Sequence, residues 1–70
     1  MPGSAASREV QAMARTVAEF VRKQGIPFTT TDLRDVFEHD RTLVGPAVTH
    51  AVQTGALQRH GRLVFTPEDA

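Results

Sequence analysis

Apolar residues recur in this chain with a helical period, first at Val10, Met13, Ala14, Val17, Phe20 and Val21. Steps of three and four put all six on one stripe, while Arg15, Glu19, Arg22 and Lys23 fall off it. The spacing predicts a helix over residues 8–24. Ser7 supplies its N-cap and Glu9 an acid at the positive pole. Arg22 and Lys23 suit the negative pole, and Gly25 is the left-handed residue that stops the helix. Ile26-Pro27-Phe28 cannot continue it, because proline lacks a donor and restricts the residue before it. A short extended piece is expected there, with Ile26 and Phe28 entering the core. Thr29 and Asp32 stand at capping-box spacing for a short second helix. Leu33, Val36 and Phe37 form its inner face, and Asp32, Arg34, Asp35 and Glu38 its outer one. Residues 39–42 read as a turn.

A third helix is predicted over residues 43–54. Leu43, Val44, Ala47, Val48, Ala51 and Val52 face inward, Thr49, His50, Gln53 and Thr54 face outward, and Gly55 ends it. Pro46 is expected at the first helical position behind a Gly45 cap, or elsewhere in the first turn, since proline deeper in a helix costs a hydrogen bond. The chain then closes in a hairpin. Residues 56–59 and 62–66 flank His60-Gly61, a two-residue connection whose glycine suits a primed turn. Pro67 ends the second strand. Residues 1–6 read as a flexible tail, 7–67 as one folded domain and 68–70 as an acidic stub.

Composition narrows the chemistry. Seventy residues allow one small core, and 40% hydrophobic content with a mean hydropathy of −0.26 fits a globular, water-soluble domain. Without cysteine there are no disulfides, thiolate metal sites or cysteine nucleophiles. The only serines, Ser4 and Ser7, lie in the tail and the first cap, and no glycine-rich phosphate loop occurs. These features argue against an enzyme and call for no cofactor. His39, His50 and His60 lie eleven and ten residues apart, matching no local ligand pair, so no metal site is expected. No apolar run is long enough to span a membrane, and a cytoplasmic location is expected.

Charge is balanced only on average, with eight Lys and Arg against eight Asp and Glu. Residues 32–40 hold Asp32, Asp35, Glu38 and Asp40 against Arg34, a net of −3. Residues 41–67 hold Arg41, Arg59 and Arg62 with no acid, a net of +3. Avoidance of acids over one half is what a phosphate-binding surface requires. The cluster Asp32, Asp35 and Glu38 repels itself on one helix and suits a basic protein partner.

Helix, short strand, helix, turn, helix, hairpin is the order of the winged helix-turn-helix superfamily, and the chain resembles it over residues 8–66. Phe28-Thr29-Thr30-Thr31-Asp32-Leu33 resembles the passage from its strand into helix two. Ala47-Val48-Thr49-His50-Ala51-Val52-Gln53-Thr54-Gly55-Ala56-Leu57 resembles its recognition helix and the step into the wing. The resemblance implies an α+β fold, three helices on a short strand with a C-terminal β-hairpin wing, and binding of double-stranded DNA. By position, Thr49, His50 and Gln53 would face base edges, while Arg41, Thr42, Arg59, His60 and Arg62 would face the backbone. The chain departs from the family in having no Arg or Lys within residues 43–54, and no Tyr or Trp. The expected role is that of a small phage or bacterial transcriptional regulator or DNA-architecture protein, nucleoid-associated and compatible with a homodimer. The alternative is a winged-helix protein-interaction module using the acidic second helix or the hairpin edge.

Overall fold

The computed structural model describes residues 7–69; the tail at 1–6 and Ala70 lie outside them. Helix α1 spans Arg8–Gln24 and is capped as its sequence dictates. Ser7 Oγ accepts from the Val10 N–H at 3.1 Å, and Gly25, at φ 68°, donates its N–H to the Val21 carbonyl at 3.0 Å. Strand β1 is only Phe28–Thr29, and α2 follows at once over Thr30–Val36. The capping box forms: the Asp32 N–H donates to Thr29 Oγ1 at 3.0 Å, and the Thr29 N–H donates to Asp32 Oδ2 at 3.3 Å.

Helix α2 ends at Phe37, whose backbone (φ −107°, ψ 57°) leaves helical space and leads into a 3₁₀ turn over Glu38–Asp40. Two turns of helix have room for one fully buried side chain, Leu33. Val36, expected inside, is 47% exposed, and Phe37 is half-buried. The Phe37 ring closes this end of the core by standing edge-on to Phe20 at 5.4 Å, and Phe20 in turn meets Phe28 at 5.2 Å. Ile26, also expected inside, is 54% exposed. The left-handed Gly25 turns the chain there, and strand alternation does not begin until Phe28.

Helix α3 spans Arg41–Thr54, two residues longer at its start than expected, so Arg41 and Thr42 are helical rather than part of a turn. Pro46 is therefore its sixth residue, not its first. The missing N–H leaves the Thr42 carbonyl without its intrahelical donor, and both residues are exposed, where water can serve. Gly45 suits the position before Pro46 for two reasons. It has no Cβ to clash with the proline ring, and a Cβ there would stand 3.2 Å from a terminal nitrogen of Arg34 on α2.

At its C-terminus α3 stops at Gly55, φ 87°, and the Leu57 N–H donates to the Ala51 carbonyl at 3.1 Å, fastening the hairpin to the helix end. Strands β2, Gln58–His60, and β3, Leu63–Phe65, are shorter than expected. Their register pairs His60 with Leu63, so the connecting residues are Gly61 and Arg62 rather than His60 and Gly61. Gly61 has φ 63° and Arg62 does not share its sign, the pattern of a type II′ turn, in which glycine takes the first central position. Strand β1 adds to β3, pairing Phe28 with Val64 and Thr29 with Leu63, to give a three-stranded antiparallel sheet ordered β1-β3-β2. Pro67–Asp69 forms a final 3₁₀ turn.

The fold is thus a small α+β arrangement of three helices and one sheet. Its core joins Met13, Ala14, Val17, Ala18 and Val21 of α1 to Val44, Ala47, Val48 and Ala51 of α3, with Leu33, Leu57 and Val64 closing it. Leu33→Ala is expected to lower unfolding free energy by about 2–5 kcal/mol in urea titrations, whereas Val36→Ser should stay within about 0.5 kcal/mol. Thr29→Ala, which removes the acceptor of the capping box, should cost about 1 kcal/mol in the same measurement.

Candidate nucleic-acid interface

Two stripes divide α3. Val44, Ala47, Val48 and Ala51 are buried, and their spacing recurs two residues on at Pro46, Thr49, His50 and Gln53. Two residues turn a helix by about 200°, so the second stripe faces away from the core. Thr49 and Gln53 are exposed and His50 is half-buried. The outward face thus presents a hydroxyl, an imidazole and an amide, groups with the donors and acceptors that base edges match. It holds no charge of its own. Its extension brings Arg41 into α3 as the first residue, with Thr42 beside it, both exposed. The residues just before them include Glu38 and Asp40, and Asp40 makes no side-chain hydrogen bond as N-cap. The start of α3 therefore carries both signs.

The hairpin assembles a second group. Because Arg59 pairs with Val64, whose side chain is buried, Arg59 lies on the core-facing side of the sheet at its outer edge. Arg62 follows Gly61 in the turn. Together with Gly61 they line one open cleft of about 310 Å³ whose other wall is Thr29, Thr30 and Thr31. Neither arginine forms an ion pair with a described residue; the ion pair among the described residues is Glu19 with Arg22, 3.7 Å apart on α1 and more than half exposed. A carboxylate is tied to this corner as well, since Asp32 Oδ2 accepts from the Thr29 N–H at 3.3 Å. Two arginines and a threonine run against one engaged carboxylate form a net positive recess suited to a phosphate oxygen.

His60 belongs to neither group. It shares the outer face of the sheet with Leu63 and Thr29, and Leu63 is 42% exposed. The structure therefore brings Arg59 and Arg62 together, puts Thr49, His50 and Gln53 on one face with Thr42 at the start of the same stripe, and leaves His60 on the other face of the sheet from Arg59. Thr30 and Thr31 were missed by sequence reasoning, which gave the threonine run only a capping role. Their closeness to the arginines follows from the pairing of β1 with β3, which links positions 28–29 to 63–64. Among the described residues no group of three His, Asp or Glu side chains is placed to hold a metal ion, and no helix is long and apolar enough to cross a membrane.

No protein-family model matches the chain, and neither a curated protein nor a solved structure matches it.

Proposed function

We propose that this chain is a winged helix-turn-helix domain that binds double-stranded DNA, in the service of a small transcriptional regulator or a DNA-architecture protein of phage or bacterial type. The observation that carries the reading is the cleft in which Arg59 and Arg62, without ion pairs to described residues, meet Thr29, Thr30 and Thr31. The order α1-β1-α2-α3-β2-β3 with sheet order β1-β3-β2 supports it, as does the uncharged polar face of α3. In this reading α3 lies in the major groove with Thr49, His50 and Gln53 on base edges. The hairpin arginines seat a phosphate in the cleft, and Arg41 and Thr42 approach a second strand segment.

Magnitude makes one copy a weak binder. Three arginines neutralise about three phosphates, against about 6–10 for tight duplex binders, so the affinity is modest and salt-sensitive. With about three contacts, log K against log salt has a slope of about −2.7. A rival use, as a protein-interaction module, draws on the acidic outer face of α2, where Asp32, Asp35 and Glu38 flank an exposed Val36.

Titration of labelled protein with random-sequence duplex at low salt, followed by backbone amide shifts, separates the two uses. DNA binding is expected to move residues 41–54 and 58–63 and the 29–31 wall, with the shifts fading as salt rises; silence there in the folded protein excludes the proposal. Arg59→Ala combined with Arg62→Ala should weaken binding to every sequence and shallow the salt slope by about 2. Against a selected site, His50→Ala or Gln53→Ala should cost about 1–3 kcal/mol of discrimination while leaving random-duplex affinity nearly unchanged.

A further inference from the structure

A second concave surface lies on α1, away from the residues assigned to DNA. Arg15, Glu19 and Lys23 run along the helix at four-residue steps beside the row Thr16 and Phe20, and Phe37 closes the far side, enclosing an open groove of about 490 Å³. Its floor is the half-buried pair of rings Phe20 and Phe37, set edge-on at 5.4 Å. Glu19 is answered by Arg22 at 3.7 Å, which leaves Arg15 and Lys23 without an ion pair among the described residues, over an apolar floor. The two cations stand eight residues, about 12 Å, apart along α1, and their long stems span the groove between them.

The complement of this groove is carried by the same chain. Val36 is 47% exposed at the end of α2, next in sequence to the groove residue Phe37, and it is flanked by exposed Asp35 and Glu38. It is an apolar knob between two carboxylates, as the groove is an apolar floor between two cations. We infer that the α1 groove is the docking site for a second copy of this chain, the Asp35-Val36-Glu38 knob of each protomer seated between Arg15 and Lys23 of the other. Groove and knob adjoin at Phe37, so a two-fold axis beside that residue satisfies both contacts at once, the reciprocity that a symmetric dimer requires. The inference is independent of DNA binding, since it uses none of the residues assigned to the duplex. The patch is small and charge-rimmed, so the dimer is of the weak, transient class.

Sedimentation equilibrium without DNA tests it. The wild-type chain is expected to dimerise with a dissociation constant of about 10–100 μM, weakening as salt rises. Arg15→Glu with Lys23→Glu reverses the groove, and Asp35→Lys with Glu38→Lys reverses the knob; each double variant alone should bind itself at least tenfold more weakly. Mixed in equal amounts they should re-form a dimer, because the acidic groove and knob of one then face the basic groove and knob of the other. Val36→Ser, which leaves the charges intact, should also weaken self-association, and circular dichroism melts verify that each variant is folded. A wild-type chain still monomeric at about 1 mM overturns the proposal and leaves the groove to a different acidic partner. Dimerisation that survives both reversals, or a mixture of folded variants that fails to associate, overturns it equally.

Discussion

The contact between α1 and α3 is the constraint on which the other features depend. Ala14, Val17, Ala18 and Val21 of α1 share the core with Val44, Ala47, Val48 and Ala51 of α3, and alanine makes up half of these eight positions. Small side chains let two helices approach closely, and that approach fixes the rotation of each about its own axis. Once Val44, Ala47, Val48 and Ala51 are turned inward, Thr49, His50 and Gln53 must face out. The hairpin inherits its position from the same helix, since the Leu57 N–H is held by the Ala51 carbonyl and Leu57 itself is buried. A core substitution in α3 would thus disturb the candidate interface without touching it.

Beyond α1, which carries both signs, the acids and the arginines concentrate on different elements. The carboxylates crowd onto α2 and the 3₁₀ turn after it, while the arginines of the second half sit at the start of α3 and on the hairpin. Extension of α3 to Arg41 puts a cation at the helix start directly beside Asp40, so the two halves meet there rather than separate. The hairpin cleft is the cleaner positive surface, tempered only by Asp32, whose carboxylate is already engaged in the capping box.

The brevity of α2 has a consequence beyond packing. Its backbone breaks at Phe37, and the three rings of Phe20, Phe28 and Phe37 take over the sealing of the core. Val36 is displaced to the surface and the edge of the ring cluster remains open as the α1 groove. An exposed valine between two acids and a half-covered aromatic floor between two cations are both products of that one break.

Local chemistry determined the parts whose cause lies within a few residues. The stripe and caps of α1, the Thr29–Asp32 capping box, the stop at Gly55 and a glycine turn in the hairpin were all legible, because each rests on spacing, a left-handed glycine or a hydroxyl acceptor. The outward face of α3 was legible for the same reason, helical period alone. Pro46 misled the reading of α3, since proline is favoured at a helix start, yet packing of Val44 inside the core holds the preceding turn helical. Ile26 and Val36 misled it because apolar character does not say which of two neighbouring apolar residues the core has room for. The hairpin register slid by one residue because β3 is pinned on both sides, by β1 as well as β2, and a central strand answers to both partners. The meeting of Thr30 and Thr31 with Arg59 and Arg62, and of Phe37 with Arg15 and Lys23, joins positions far apart in the chain. No period or motif encodes such a meeting; only the closing of the sheet and the packing of the helices decides it.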